Sequence, residues 1–226
     1  MDAVVLCFHK VGSQKKEGRR LNIDPQRLDT HIRYFARRKF QFLRAGDFRH
    51  WPERKSVCFT FDDAYASTIE YGLPVFERNN VPMTLYAVTR LVGMSSSWDG
   101  ELARPLADWQ ALKYAQARGH EIGNHTANHV HLPRLSFEDQ KAEISQAHED
   151  LLSHGIEGNS ICYPYGHQDN QSQLAASQIG YEVGMALGKR PARPNDPRLA
   201  IPRIVIAFGD ALPMLLYKMH LRPKLK

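Results

Sequence analysis

Four short stretches hold most of the side chains able to do chemistry: "CFHKVG" at 7–12, "TFDD" at 60–63, "HTANH" at 125–129 and "YPYG" at 163–166. His125 and His129 are four apart, so on a helical turn they share a face. Asp63 can complete a facial set of two imidazoles and one carboxylate. Three protein ligands with an open position is the pattern of a catalytic zinc. Iron(II) oxygenases use the same ligand types, so the set alone leaves the chemistry open. Histidines that only cap a helix are the bland alternative. Asp62 and Asp63 end an apolar run, Val57 to Phe61. Two adjacent carboxylates repel, and a cation offsets that repulsion. One carboxylate can then bind metal while its neighbour faces the substrate water. A solvated turn is the alternative, and the strand before it makes that less attractive.

These motifs need elements to bring them together. Strand-like runs are predicted at 3–8, 41–44, 56–61, 83–89, 160–163, 181–187 and 201–206, with a shorter run at 120–123. Helical patterns lie between several of them. Asp24 can cap the first, with Pro25 at its first position and Leu28, Ile32 and Phe35 on one face. Asp108 can cap a second, ended by Gly119. Ser136 and Asp139 resemble a capping box opening a third, with Ile144, Ala147 and Leu151 inward. This βαβα rhythm predicts a parallel sheet with helices outside. About seven strands could close as a small, irregular βα barrel; an open sheet is the alternative. In a barrel the C-terminal strand ends converge on one face, where the four motifs would meet.

The chain has 226 residues, enough for one sizeable domain, and no composition shift marks a linker. A single catalytic domain over 1–226 is expected, with long loops at 93–105 and 188–200. The net charge is +6, but the basic residues are dispersed, as in Arg19-Arg20, Arg37-Arg38-Lys39 and Lys189-Arg190. No basic stripe interleaved with aromatics is present, so no nucleic-acid partner is expected. Cys7, Cys58 and Cys162 sit in apolar runs and read as buried free thiols, in keeping with a reducing compartment. The start has no basic n-region, and no apolar run is long enough to span a bilayer, so a cytoplasmic protein is expected. The tail (Met214, Leu215, Leu216 and Met219, with Lys218, Arg222, Lys224 and Lys226) could touch an anionic membrane peripherally or dock on the barrel as a helix.

The motifs together resemble those of the polysaccharide deacetylases, the NodB-homology family of metal-dependent carbohydrate esterases (carbohydrate esterase family 4). Thr60-Phe61-Asp62-Asp63 is similar to the first family motif, TFDDG. His125-Thr126-Ala127-Asn128-His129 matches the second, H(S/T)xxH. Ile161-Cys162-Tyr163-Pro164-Tyr165-Gly166 looks like the third. The resemblance runs from about Val4 to Ile206 and implies a distorted (β/α) barrel of about seven strands. It implies Asp62 as general base, Asp63, His125 and His129 as ligands of one divalent metal, and the Tyr165 backbone N–H facing the oxyanion. Zinc is the first expectation for the metal, with cobalt, nickel or iron able to replace it. The implied substrate is an N-acetylated glycan or glycolipid precursor.

Three departures from the family pattern stand out. Ala64 replaces the usual Gly and is strained if that position needs φ > 0. Cys162 replaces an arginine that orients the base, and Arg203 could supply that charge from the next strand. No LxH motif carries the acid histidine near the C-terminus. Phe8-His9-Lys10-Val11 is similar to an N-terminal YHxV-like stretch in the circularly permuted branch that de-N-acetylates poly-N-acetylglucosamine, which makes His9 the acid candidate. Trp98 and Asp99 could stack on and hydrogen-bond a sugar ring, and His167 and Asp169 could line the cleft. Trp109 reads as helix-packing core, and His148 and His154 as surface residues. Two other readings stay open: hydrolysis of a non-sugar amide, and a carbohydrate-binding protein that kept the fold without turnover.

Overall fold

A computed structural model describes residues 1–225. Ten strands are present among them: β1 (Ala3–Phe8), β2 (Lys10–Val11), β3 (Asn22–Ile23), β4 (Gln41–Leu43), β5 (Ser56–Phe61), β6 (Thr84–Ala87), β7 (Glu121–Asn124), β8 (Ile161–Cys162), β9 (Gly184–Gly188) and β10 (Ile201–Val205). Seven α-helices accompany them: α1 (Gln14–Glu17), α2 (Pro25–Arg37), α3 (Leu73–Asn79), α4 (Trp109–Ala117), α5 (Phe137–Ser153), α6 (Asn170–Ile179) and α7 (Leu212–Leu216). β2 and β3 form a separate parallel ribbon. The main sheet runs β1-β10-β9-β8-β7-β6-β5 and closes through a parallel β1–β5 pairing. This is a closed seven-stranded parallel barrel with helices outside, the NodB-type (β/α) architecture. β4 is an eighth strand, laid against the first half of the β5 edge that β6 occupies further along.

The capping residues set the helix starts. Asp24 accepts from the Gln26 N–H at 2.8 Å, Asp108 from Ala111 at 2.8 Å, and Ser136 from Asp139 at 3.2 Å. At the third helix the box is incomplete, because the Asp139 carboxylate accepts from the Ser136 hydroxyl instead of reaching its backbone N–H.

Strand parity explains what faces where. Every residue of β1 and β5 is buried, as expected for strands covered on both faces. Val4, Leu6 and Phe8 pack outward with Val57, Phe59 and Phe61 under the helices. Ala3, Val5 and Cys58 belong to a second core inside the barrel, with Tyr86, Cys162, Met185 and Ile201. Successive side chains alternate across a strand. Cys7, Thr60 and Arg203 therefore also point inward, near the top. The ring of Tyr86 fills the barrel below them, and Gly123 makes room for it: a Cβ there would lie 2.5 Å from Tyr86 Cε1.

The tail docks on the barrel. Leu215 and Met219 are buried in the outer core. Lys218 Nζ donates to the Val205 carbonyl at 2.8 Å and pairs with Asp210. Lys226 lies outside the described residues. Among the described residues, no helix is long and apolar enough to cross a membrane.

Candidate active site

Because the barrel strands are parallel, their C-terminal ends share one face. His9 follows β1, Asp62 and Asp63 follow β5, His125 follows β7, Tyr165 follows β8, and Val205 ends β10. All of them line one cleft of about 410 Å³, together with His129, Trp98, Lys10, Arg20, Tyr65 and Asp99.

Parity also resolves the Asp62-Asp63 pair. Asp62 continues the inward series Cys58, Thr60, Asp62. Asp63 would alternate outward, but its φ of 68° turns the chain and keeps it at the cleft. Both carboxylates are buried, 5% and 3% exposed. Ala64 follows at φ 52°, so alanine does occupy a left-handed position, where its Cβ is strained. Thr126, His129 and Tyr165 also have positive φ, at 65°, 58° and 60°. Backbone strain of this kind concentrates where geometry serves function.

Asp62 and Arg203 form a two-pronged ion pair, Nη1–Oδ1 2.5 Å and Nη2–Oδ2 2.8 Å. The guanidinium is fully buried and also donates to Thr60 Oγ1 at 2.9 Å and the Ala186 carbonyl at 3.3 Å. Cys162 Sγ accepts from Arg203 Nη2 at 3.0 Å. The Cys7 and Cys162 thiols flank the carboxylate at 3.4 and 3.5 Å. Burial alone would push the Asp62 carboxyl up; the Arg203 charge and hydrogen bonds more than reverse that and hold it well below the usual carboxylate range.

Asp63 Oδ1 faces His125 Nε2 at 3.3 Å and His129 Nε2 at 3.1 Å. His125 Nδ1 lies 2.7 Å from the Cys162 carbonyl, which can only accept, so Nδ1 carries the proton and Nε2 offers a lone pair. In the neutral tautomer that lone pair faces a carboxylate oxygen with no hydrogen bond between them. Without a cation the contact is satisfied only by protonating His125 so that Nε2 donates to Asp63; a metal ion between them would take the place of that proton. Burial pushes Asp63 up and His125 down, yet their mutual contact, with that of His129, leaves Asp63 well below its ordinary value and His125 above. Three converging N, N and O donors with an orphaned carboxylate oxygen fit a divalent cation. The two histidines converge through a strained turn, not through the helical turn their spacing predicts.

A polysaccharide deacetylase family profile matches residues 50–184. This chain belongs to that family. It is 22% identical over 213 residues to YxkH of Bacillus subtilis (strain 168), covering 91% of this chain and 71% of YxkH. It is 20% identical over 206 residues to the poly-beta-1,6-N-acetyl-D-glucosamine N-deacetylase of Staphylococcus aureus (strain MSSA476), covering 86% of this chain and 71% of that enzyme. The Streptococcus pyogenes deacetylase PplD, solved in complex with acetate, superposes with a TM-score of 0.83 at 20% identity, over 97% of this chain and 99% of PplD. At that identity the superposition speaks for the shared fold.

Around this deacetylase-family site, several expectations shift. Trp98 stacks on His129 with ring centroids 4.0 Å apart, so it buttresses a candidate ligand as well as lining the cleft. Asp99 is engaged by the Tyr65 hydroxyl at 2.6 Å and Ser96 at 2.8 Å. Asp169 does not line the cleft: it caps α6 by accepting from Ser172 at 2.8 Å. His167 meets His131, and His131 stacks on Tyr165 at 3.8 Å. His148 and His154 are not free surface residues, since they contact Tyr181 and Trp109. Sequence reasoning passed over Tyr65, Arg20 and Lys10 as cleft residues. Local signals existed for two of them: Tyr65 is three residues past Asp62 in "DDAY", and Lys10 lies inside "CFHKVG" next to His9.

Proposed function

We propose that this chain is a single catalytic domain that hydrolyses the N-acetyl amide of a sugar in a glycan or glycolipid precursor, releasing acetate and a free amine. The observation that carries this reading is the pairing, in one cleft, of two different carboxylates. One sits in a two-histidine donor set, and its neighbour is locked to a buried arginine. Asp63, His125 and His129 would hold the metal, with zinc fitting the N, N and O donors and cobalt, nickel or iron able to replace it. When bound, such a metal lowers the pKa of a coordinated water and polarises the acetyl carbonyl.

The remaining steps belong to the chain's own residues. Asp62, kept ionised and oriented by Arg203, takes the proton of the attacking water. The Tyr165 backbone N–H faces the developing oxyanion. An amine anion is a very poor leaving group, so the nitrogen must be protonated as the C–N bond breaks. His9 is the group at the cleft for that step. Burial lowers its pKa, only partly countered by the Asp62 and Asp63 carboxylates, which makes its imidazolium a stronger acid than a free histidine. Trp98 offers a ring face to the sugar.

Zinc-loaded protein should release acetate from N-acetylated oligosaccharides, and a chelator should stop it reversibly. No acetate from any N-acetylated sugar after zinc, cobalt and nickel loading would refute the reading.

A further inference from the structure

Two cations of the cleft have no carboxylate in direct contact, whereas all its acids have partners. Its three acids are each accounted for. Asp62 is paired with Arg203, Asp63 lies between His125 and His129, and Asp99 accepts from two hydroxyls. Its two cations outside that machinery, Lys10 and Arg20, are not. Neither forms an ion pair among the described residues.

Lys10 is the more telling of the two. It is only 8% exposed, yet its ammonium donates to the backbone carbonyl of Glu17 at 3.0 Å, not to a carboxylate. The ring of Tyr65 lies 5.7 Å from Nζ. One carbonyl satisfies one of three N–H donors. No carboxylate pairs with the ammonium directly: Asp99, Glu17 and Asp63 act on it only from beyond ion-pairing distance, and an ammonium buried without a direct ionic partner is costly. Arg20 is exposed and lines the cleft at the end of the segment "KKEGRR", residues 15–20, which holds four cations and one acid. Its neighbour Arg19 lies over the exposed ring of Phe208.

We infer that Lys10 and Arg20 form an anion subsite beside the reacting sugar, so that the favoured substrate carries a phosphate or carboxylate next to its N-acetyl group. The inference rests on the deacetylase reading for the identity of the sugar, but the charge pattern stands apart from turnover. Lys10 would donate its two spare N–H groups to the anion, and Arg20 would close over it from the rim. Lys10 is then a specificity-determining residue, placed one position after the proposed acid by the end of β1 and the start of β2.

The test measures binding and acetate release on zinc-loaded full-length protein with three probes: N-acetylglucosamine 1-phosphate, a disaccharide of N-acetylglucosamine and glucuronate, and neutral diacetylchitobiose. At low salt at least one anionic probe should bind about tenfold tighter or better than the neutral one, the scale of one charge-assisted hydrogen bond. The gap should shrink as salt rises. The phosphate and glucuronate arms separate the two anion sources. Lys10→Met and Arg20→Ala should each pull the anionic-to-neutral affinity ratio toward one, and Lys10→Arg should retain it. If Lys10→Met does not fold, the exposed Arg20 carries the comparison. Equal affinity for all three probes overturns the inference. So does a preference that survives both substitutions, because the anion then sits on the metal. Acetate release without an anionic preference removes the subsite alone. An intact, Lys10-dependent preference without acetate release removes the deacetylase reading and leaves the subsite standing.

Discussion

Replacing Arg203 by Met tests whether the barrel top is organised around the Asp62 carboxylate. The guanidinium is fully buried and makes two contacts to Asp62, with further bonds to Thr60, Cys162 and Ala186. Methionine fills much of the volume but leaves Asp62 as a buried, uncompensated charge. Removing one partner of such a pair costs about 3–5 kcal/mol. The pH dependence has a definite sign. In the wild type the folded carboxyl is depressed, so its contribution is present above the unfolded value of about 3.9 and lost as pH falls through the folded value. In the variant burial is the largest remaining influence, opposed by His125 and His9, and it raises the folded value relative to wild type. The destabilisation relative to wild type should therefore be full at neutral pH and shrink as pH falls toward about 4. Urea unfolding of both proteins at pH 7 and at mildly acid pH reads this directly. The acidic limb of the pH–rate profile should also move up while metal content stays unchanged. Arg203→Lys should be intermediate, since it keeps the charge without the planar fork. Equal unfolding midpoints at pH 7, together with an unmoved acidic limb, would refute the reasoning.

Other substitutions separate the remaining roles. His125→Ala should lose metal and activity together, as read by elemental analysis and acetate release, because one of three donors is gone and the Cys162 carbonyl loses its partner. Asp62→Asn should keep the metal but lose roughly 10²–10⁴-fold in turnover, because an amide cannot accept the water's proton; wild-type turnover would remove Asp62 as the base. His9→Ala should cripple N-acetyl sugar hydrolysis and spare an activated aryl acetate, whose leaving group needs no proton; equal losses on both would make His9 structural. Ala64→Gly should change stability by less than about 1 kcal/mol in either direction: relief of a left-handed Cβ is worth about 1–2 kcal/mol, and the greater freedom of unfolded glycine (about 0.4–1) and the loss of a methyl buried in the outer core (about 0.8) offset it. Thermal unfolding checks this, and a change well above about 1 kcal/mol would refute the balance.

Much of this molecule was legible in the chain. Alternating apolar runs and helix caps are local properties, set by side-chain period and by one or two hydrogen bonds, so the βα order and the caps at Asp24, Asp108 and Ser136 could be read directly. The four motifs at strand ends followed from the same order, because parallel strands deliver their ends to one face. The rest depended on closure. Arg203 and Asp62 are 141 residues apart, and only the ring that brings β5 and β10 to either side of β1 joins their side chains. The weak run that became β7 has one large apolar residue, Ile122, because its neighbours β6 and β8 supply the burial. The meeting of His125 and His129 came from positive-φ turns that spacing does not encode, and Ala64 shows that such a turn persists without its usual glycine. Trp98 on His129, and Lys10 buried without a direct ion pair, are facts of packing. A single residue type cannot state them, since burial and the absence of a partner belong to all the surrounding chain.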